Sequence, residues 1–374
     1  MSITEKYVTV AGGGLHDGTS EANAWTFTEA LANAVAGDRV NVKLGTHTCT
    51  TASTVNGTYA DPIHVRGYVS TIGDLDSLLL GTMVGGTDIP LVQGTGNNIG
   101  FRGQWVNFSH IEFQGVSHYA SAWTVNTASI ARSCRFTNTN AQSYNCVTSG
   151  YAVFQDCYIY SPTIYSAIHT GNSRLIQCVL EGNNTGVVGA NAHIVINCLI
   201  KNLGTGVSNT GSDYATVTGN TFVNCTTGIN FNSYPRSYIV SSCYFSGCTT
   251  GIVNGSNGAN NFGNVLVNSC CYHNVTTQIS GIDFQHFASV DATDQFVDSA
   301  GGDYTLLPTS NGYSSAMPNI LAGVGTTTKQ DIGAIRHTDA SPATQPSAAG
   351  TQIYPFRQFV SDKFGAVLHP LRSN

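Results

Sequence analysis

Charge is what this sequence has least of: Asp, Glu, Lys and Arg together make up 10% of its 374 residues, against about a quarter in ordinary soluble proteins. The 15 basic residues are outnumbered by 21 acidic ones, and no Lys/Arg cluster is present that could neutralise a row of phosphates. Nucleic-acid binding of the electrostatic kind is therefore excluded. A run of about 18 apolar residues is also missing, which excludes a membrane-spanning helix. The N-terminal stretch "MSITEKYVTVAGGG" lacks the apolar segment of a secretory signal, so synthesis in the cytoplasm without a signal peptide is expected. The 11 cysteines are odd in number, and without a leader they argue against a disulfide framework and for free thiols.

What fills the gap is 41 glycines with abundant Asn, Ser and Thr, beside 41% hydrophobic residues. This composition builds a core but favours strands and tight turns over helices. Placing segments on the pattern apolar-x-x-Cys-x-apolar yields "ARSCRF", "FQDCYI", "LIQCVL", "VINCLI", "VTGNTF", "VSSCYF" and "VNSCCY" in one register. The fourth position is Cys134, Cys157, Cys178, Cys198, Asn220, Cys243 and Cys270, at spacings of 23, 21, 20, 22, 23 and 27 residues. Phe136, Ile159, Leu180, Ile200, Phe222, Phe245 and Tyr272 follow two positions on. Ala131, Phe154, Leu175, Val195, Val217, Val240 and Val267 precede by three.

Such a period marks a solenoid with one coil per repeat, whose like residues stack in columns about 4.8 Å apart. The columns are expected to face inward, the cysteines acting as small, soft hydrophobes and Asn220 finding hydrogen-bond partners inside. A second marker, Thr185-Gly186-Val187, Thr205-Gly206-Val207, Thr227-Gly228-Ile229 and Thr250-Gly251-Ile252, is expected to turn each coil into the next.

"TFTEALANAVAGD" carries a Thr26/Glu29 capping box and a glycine stop at Gly37. It predicts an amphipathic helix over 26–36 that shields the open edge of the first coil. Residues 1–50 thus read as an N-terminal cap and 51–337 as the solenoid. Residues 338–374 read as a Pro/Ser/Ala/Thr linker followed by an extended arm.

The phrases "YVTVAGGGLHDGTSEANAWTFTEALANAVAGDRVNVKLGTHT", "DPIHVRGY", "VNFSHIEFQG" and "DQFVDSAGGDYTLLPTS", with the later "DIGAI", resemble the pectate-lyase-like superfamily over about residues 5 to 335. The resemblance implies an all-β, right-handed parallel β-helix. That superfamily includes polysaccharide lyases, glycoside hydrolases, phage tailspikes and non-catalytic virion proteins, so fold alone does not choose an activity. Its enzymes usually act on acidic polysaccharides in a groove on the outer strand face.

Glycoside hydrolysis needs two carboxyls about 5 to 9 Å apart, and a calcium site needs several oxygen ligands. Between Ser109 and Val290 the carboxylates are Glu112, Asp156, Glu181, Asp213 and Asp283, with no Asp-Asp or Asp-x-Asp pair. No cofactor is therefore expected, and Ca²⁺ enters only if the chain is a lyase. The best outward constellation is Arg135, Asp156, Tyr158, Tyr160, Glu181 and Lys201. Glu181 and Lys201 share one column, so they make either a surface ion-pair ladder or part of a catalytic or glycan site.

Tyr158, Tyr160 and Tyr244 are candidates for glycan stacking on the outer face. Histidines 110, 118, 169, 193, 273 and 286 show no metal spacing, and His193 falls on an inward column. "GTGNNIG" resembles a phosphate loop but lacks the strand–helix context.

Ile176, Val179, Ile194, Ile196 and Leu199 make both faces of adjacent coils apolar. Something is expected to cover them: another subunit, the chain's own tail, or a long loop folding back. Tyr354, Phe356, Arg357, Phe359 and Phe364 give the arm apolar and basic groups for docking. The expected function is a β-helical structural or attachment protein of a virion or comparable assembly, docked through that arm. Its partners would be other subunits, a homo-oligomer and possibly a polysaccharide. The alternative is a polysaccharide lyase or depolymerase using Asp156, Glu181, Lys201 and Arg135.

Overall fold

The computed structural model describes residues 3–49, 53–76, 89–94, 101–115, 123–127, 129–138, 147–162, 168–189, 193–209, 214–231, 237–254, 264–280, 285–291, 293–301 and 303–311. The expected docking arm, with Tyr354, Phe356, Arg357, Phe359 and Phe364, lies outside them, as does His118. Among the described residues, no helix is long and apolar enough to cross a membrane.

The chain winds as a right-handed parallel β-solenoid. One coil runs through His193–Ile196, Leu199–Lys201 and Thr205–Asn209, and the next opens with Tyr214–Thr218. Each strand pairs in parallel with its counterpart one coil away: Val195 with Val217, Ile200 with Phe222, Val207 with Ile229. Three sheets result, called first, second and third in that order.

The stacked columns form the core. Cys134, Phe136, Phe154, Leu175, Ile200, Val217 and Phe245 are all fully buried. Phe222, Phe245 and Tyr272 stack face to face at centroid distances of 4.8 and 5.2 Å, contacts worth about 0.5–1.5 kcal/mol each beyond the area they bury.

The corner from first to second sheet is made by one residue in the left-handed region: Ser133, Asp156, Gln177, Asn197, Gly219, Ser242 or Ser269, with φ between 49° and 65°. Glycine and short polar residues such as Asn and Asp enter this region at low cost, and all but Gln177 of the series are of these kinds. The cysteine that follows does more than fill space. Cys157 Sγ donates to the Gln155 carbonyl at 3.3 Å, and Cys243 Sγ to that of Ser241 at 3.4 Å. Cys198 Sγ also accepts the Cys178 N–H at 3.4 Å.

Asn220 fills the same role one coil on, as expected of a buried polar residue. Its Oδ1 accepts the Cys198 N–H at 2.8 Å, and its Nδ2 donates to the Val195 carbonyl at 2.9 Å. The described cysteines are all free and buried, and burial pushes the Cys134 thiol up to about 12, so it stays protonated.

Two expectations need correcting. The Thr-Gly-Val/Ile motif is not the turn: it opens the third-sheet strands Thr185–Gly189, Thr205–Asn209, Thr227–Phe231 and Thr250–Asn254. The turn lies just before it, at left-handed Asn202, Asn224 and Gly247. The glycine is needed for space, because a Cβ on Gly228 would sit 2.6 Å from both the Gly251 carbonyl oxygen and the Phe245 ring.

The capping helix is also shorter than 26–36. It spans Phe27–Asn33 with the Thr26/Glu29 capping box in place. Its continuation is broken by a turn in which Asp38 accepts the Val35 N–H at 2.9 Å. Phe27 and Leu31 are buried, and Thr28 reaches the Thr48 carbonyl at the start of the second sheet. The first sheet is closed differently: strand Thr4–Val8 pairs with Asp38–Lys43, and its outer edge is bonded by Gly18 and Trp25.

Candidate functional site

Strand alternation sends Phe136, Ile159, Leu180 and Ile200 inward and their neighbours outward. The second sheet's outer face therefore carries the register series Glu112, Arg135, Tyr158, Val179, Leu199, Thr221 and Tyr244. A parallel series holds Thr137, Tyr160, Glu181, Lys201 and Val223. Of the six residues proposed from sequence, Arg135, Tyr158, Tyr160, Glu181 and Lys201 come together here.

Asp156 does not join them. It is the left-handed residue of a corner, and its carboxylate accepts from Ser133 Oγ at 2.8 Å.

The cluster is internally paired. Lys201 Nζ lies 3.1 Å from Glu181 Oε2, with 11% and 20% of the two side chains exposed. The Tyr158 hydroxyl donates to the same Glu181 oxygen at 3.1 Å, and Asn202 Nδ2 donates to Oε1 at 3.1 Å. Arg135 Nη1 is 3.0 Å from Glu112 Oε2, and Thr137 Oγ1 donates to Glu112 Oε1 at 3.1 Å. Burial and then the Glu181 charge raise the Tyr158 pKa, which keeps the phenol a donor. Both carboxylates are thus spent on neighbours. They are also three coils apart, roughly 14 Å at the parallel-strand spacing, beyond the separation of a glycosidase pair. Among the described residues, no group of three His, Cys, Asp or Glu side chains is placed to hold a metal.

A hairpin of the same chain roofs the lower part of this face. Strands Phe296–Asp298 and Asp303–Leu306 pair antiparallel, and Phe296, Tyr304 and Leu306 pack on Tyr158, Val179, Leu199, Val223, Tyr244 and Cys271 in one apolar cluster. Lys201 Nζ sits 6.0 Å from the Tyr304 ring centroid, a cation–π contact.

The segment is pinned by buried Asp291. Its carboxylate accepts from the Tyr244 hydroxyl at 2.8 Å, Ser310 Oγ at 2.6 Å and the Asn311 N–H at 2.7 Å. Tyr244 is consequently fully buried, so the ring offered from sequence as a glycan platform has no free face. Tyr158 is 8% exposed, and Tyr160 is half-buried beside the cluster.

Sequence reasoning did not place Glu112, Asn202, Tyr304 or Asp291 here. Glu112 was within reach, since "IEFQG" repeats the Cys134-Arg135-Phe136 pattern one coil earlier. The roofing hairpin carries no repeat signal.

No family model matches the sequence, and no curated protein matches it. Among solved structures, the fold is similar to pectate lyase Pel9A, with a TM-score of 0.61 and 12% identity over 90% of this chain and 97% of that one. Weaker likenesses include a mannuronic-acid-specific family 6 polysaccharide lyase from human gut microbiota, with a TM-score of 0.34 and 12% identity over 69% and 74% of the two chains. Another is the family 6 lyase Pedsa3628 from Pseudopedobacter saltans, with a TM-score of 0.33 and 12% identity over 73% and 92%. The chain therefore has the right-handed parallel β-helix fold of pectate lyases, as the resemblance in its sequence implied.

Proposed function

We propose that this β-helix is a non-catalytic structural or attachment subunit of a virion or comparable assembly. The observation that carries the reading is the state of the second sheet's outer face. Glu181 is saturated by Tyr158, Lys201 and Asn202, Glu112 by Arg135 and Thr137, and the apolar stretch beyond them is roofed by the chain itself. A general base or acid needs a free or exchangeable proton site within reach of substrate, and neither carboxylate offers one. The chain's own C-terminal arm, with Tyr354, Phe356, Arg357, Phe359 and Phe364, is the proposed docking element to the rest of the assembly.

The competing reading, a polysaccharide lyase, draws on the fold shared with Pel9A. Two measurements divide them. Incubation with uronate and capsular polysaccharides is expected to yield neither the ultraviolet absorbance of an unsaturated product nor new reducing ends. Native mass of the particle is expected to exceed that of one chain and to fall when residues 340–374 are deleted. A monomer with lyase turnover overturns the proposal.

A further inference from the structure

A second site lies on a different face. Among the described residues, those in the left-handed backbone region beyond glycine are His, Ser, Asp, Gln and Asn, with one exception: Trp105, at φ 56°. A bulky aromatic there is a genuine outlier; such strain persists only where the surrounding structure over-determines it, and it clusters at ligand and active sites. Trp105 forms a one-residue corner from the third sheet into the first. Its carbonyl accepts the Ile63 N–H at 3.0 Å.

The corner sets the indole against Tyr59, whose ring meets it edge-on at 5.1 Å and 80°. Tyr59 is 66% exposed and sits in a turn tied by Thr58 N–H to the Asp61 carbonyl at 3.1 Å.

Polar groups follow on the adjoining strands, Asn107 two residues past Trp105. His64 and Asn107 are register partners and face outward between the buried pairs Ile63/Val106 and Val65/Phe108. Neither side chain is hydrogen-bonded to another described residue. Burial, then the Arg39 and Arg66 charges, lower the His64 pKa, so the imidazole is neutral and can both donate and accept. Arg132 stands further along the same face, two residues past Ile130, the register partner of Asn107. It forms no ion pair among the described residues.

We infer that Tyr59 and Trp105, with His64 and Asn107, form a binding site for pyranose units of a glycan. The C–H face of a pyranose is apolar and packs on an aromatic ring, while its hydroxyls need neutral donors and acceptors at the rim. This site is independent of how the charged cluster on the second sheet is read.

The test is isothermal titration of the full chain with cellohexaose, chitohexaose and hexagalacturonate. At least one is expected to bind, with a change in tryptophan emission. Trp105→Asn, which suits the left-handed corner, is expected to raise Tm or leave it unchanged while weakening binding roughly tenfold or more. Tyr59→Ala, at an exposed turn, supplies a second variant with the same loss and no change in Tm. Failure of all three oligosaccharides to bind the full chain overturns the inference. So does binding that survives both substitutions.

Discussion

The first and second sheets present two outer faces with opposite fates. Both carry apolar columns, but Val179, Leu199 and Tyr244 on the second sheet lie under the hairpin, while Ile239 and Leu266 on the first remain 41% and 45% exposed. The apolar patch read from sequence splits along the same line: Val179 and Leu199 are roofed, and Ile176, Ile194 and Ile196 are half-buried on the first sheet. On the second face Glu181 and Glu112 are each paired with a cation; on the first, Glu5 pairs with Arg39 and Arg66, while Arg132 pairs with no carboxylate among the described residues. A solenoid exposes equivalent surfaces by construction, so what sits on a face, not the face itself, decides its role. Here the chain covers part of the second face with its own hairpin, while Ile239 and Leu266 on the first stay exposed.

That contrast can be broken most severely at Asp291. Asp291→Ala leaves the Tyr244 hydroxyl, the Ser310 hydroxyl and the Asn311 N–H without their acceptor. A loss of about 3 kcal/mol is expected in urea unfolding, with Tyr244 becoming exposed to solvent perturbation. Asn220→Ala is expected to cost about 2 kcal/mol, because the Cys198 N–H loses its partner. Asn220→Cys is expected to recover most of it, since Cys198 Sγ already does this job for Cys178. Lys201→Met removes one of three partners of a partly buried Glu181 and is expected to cost about 1 kcal/mol.

On the open face, Leu266→Ser is expected to change stability by less than about 0.5 kcal/mol, read by the same urea curves. The smallest effect belongs to the cap. The Thr26 backbone N–H, and next His16, hold the Glu29 carboxyl down at about 2. A carboxyl lowered in the folded state contributes above its ordinary value of 4.5 and loses that contribution as pH falls toward about 2. Glu29→Gln is expected to flatten the acid side of the stability profile over that interval.

The core was legible in the sequence because a solenoid writes each column as a period. Cys134, Phe136 and Ala131, with their repeats, were placed inward by spacing alone, and Glu181 was paired with Lys201 for the same reason. What the period cannot encode is a contact made once. The hairpin over Tyr244 is such a contact, so a tyrosine on an outward column was read as open when it is the most deeply covered of the three candidates. Asp156 was misplaced by a finer error: it precedes the cysteine and belongs to the corner, whose left-handed backbone is taken by polar residues or glycine, not to the strand that follows.

The central claim, that the charged cluster on the roofed face is structural, is tested most directly by assaying the full chain and Lys201→Met side by side on uronate and capsular polysaccharides. Neither protein is expected to release unsaturated product or reducing ends. Turnover by the full chain that disappears in Lys201→Met would contradict the claim.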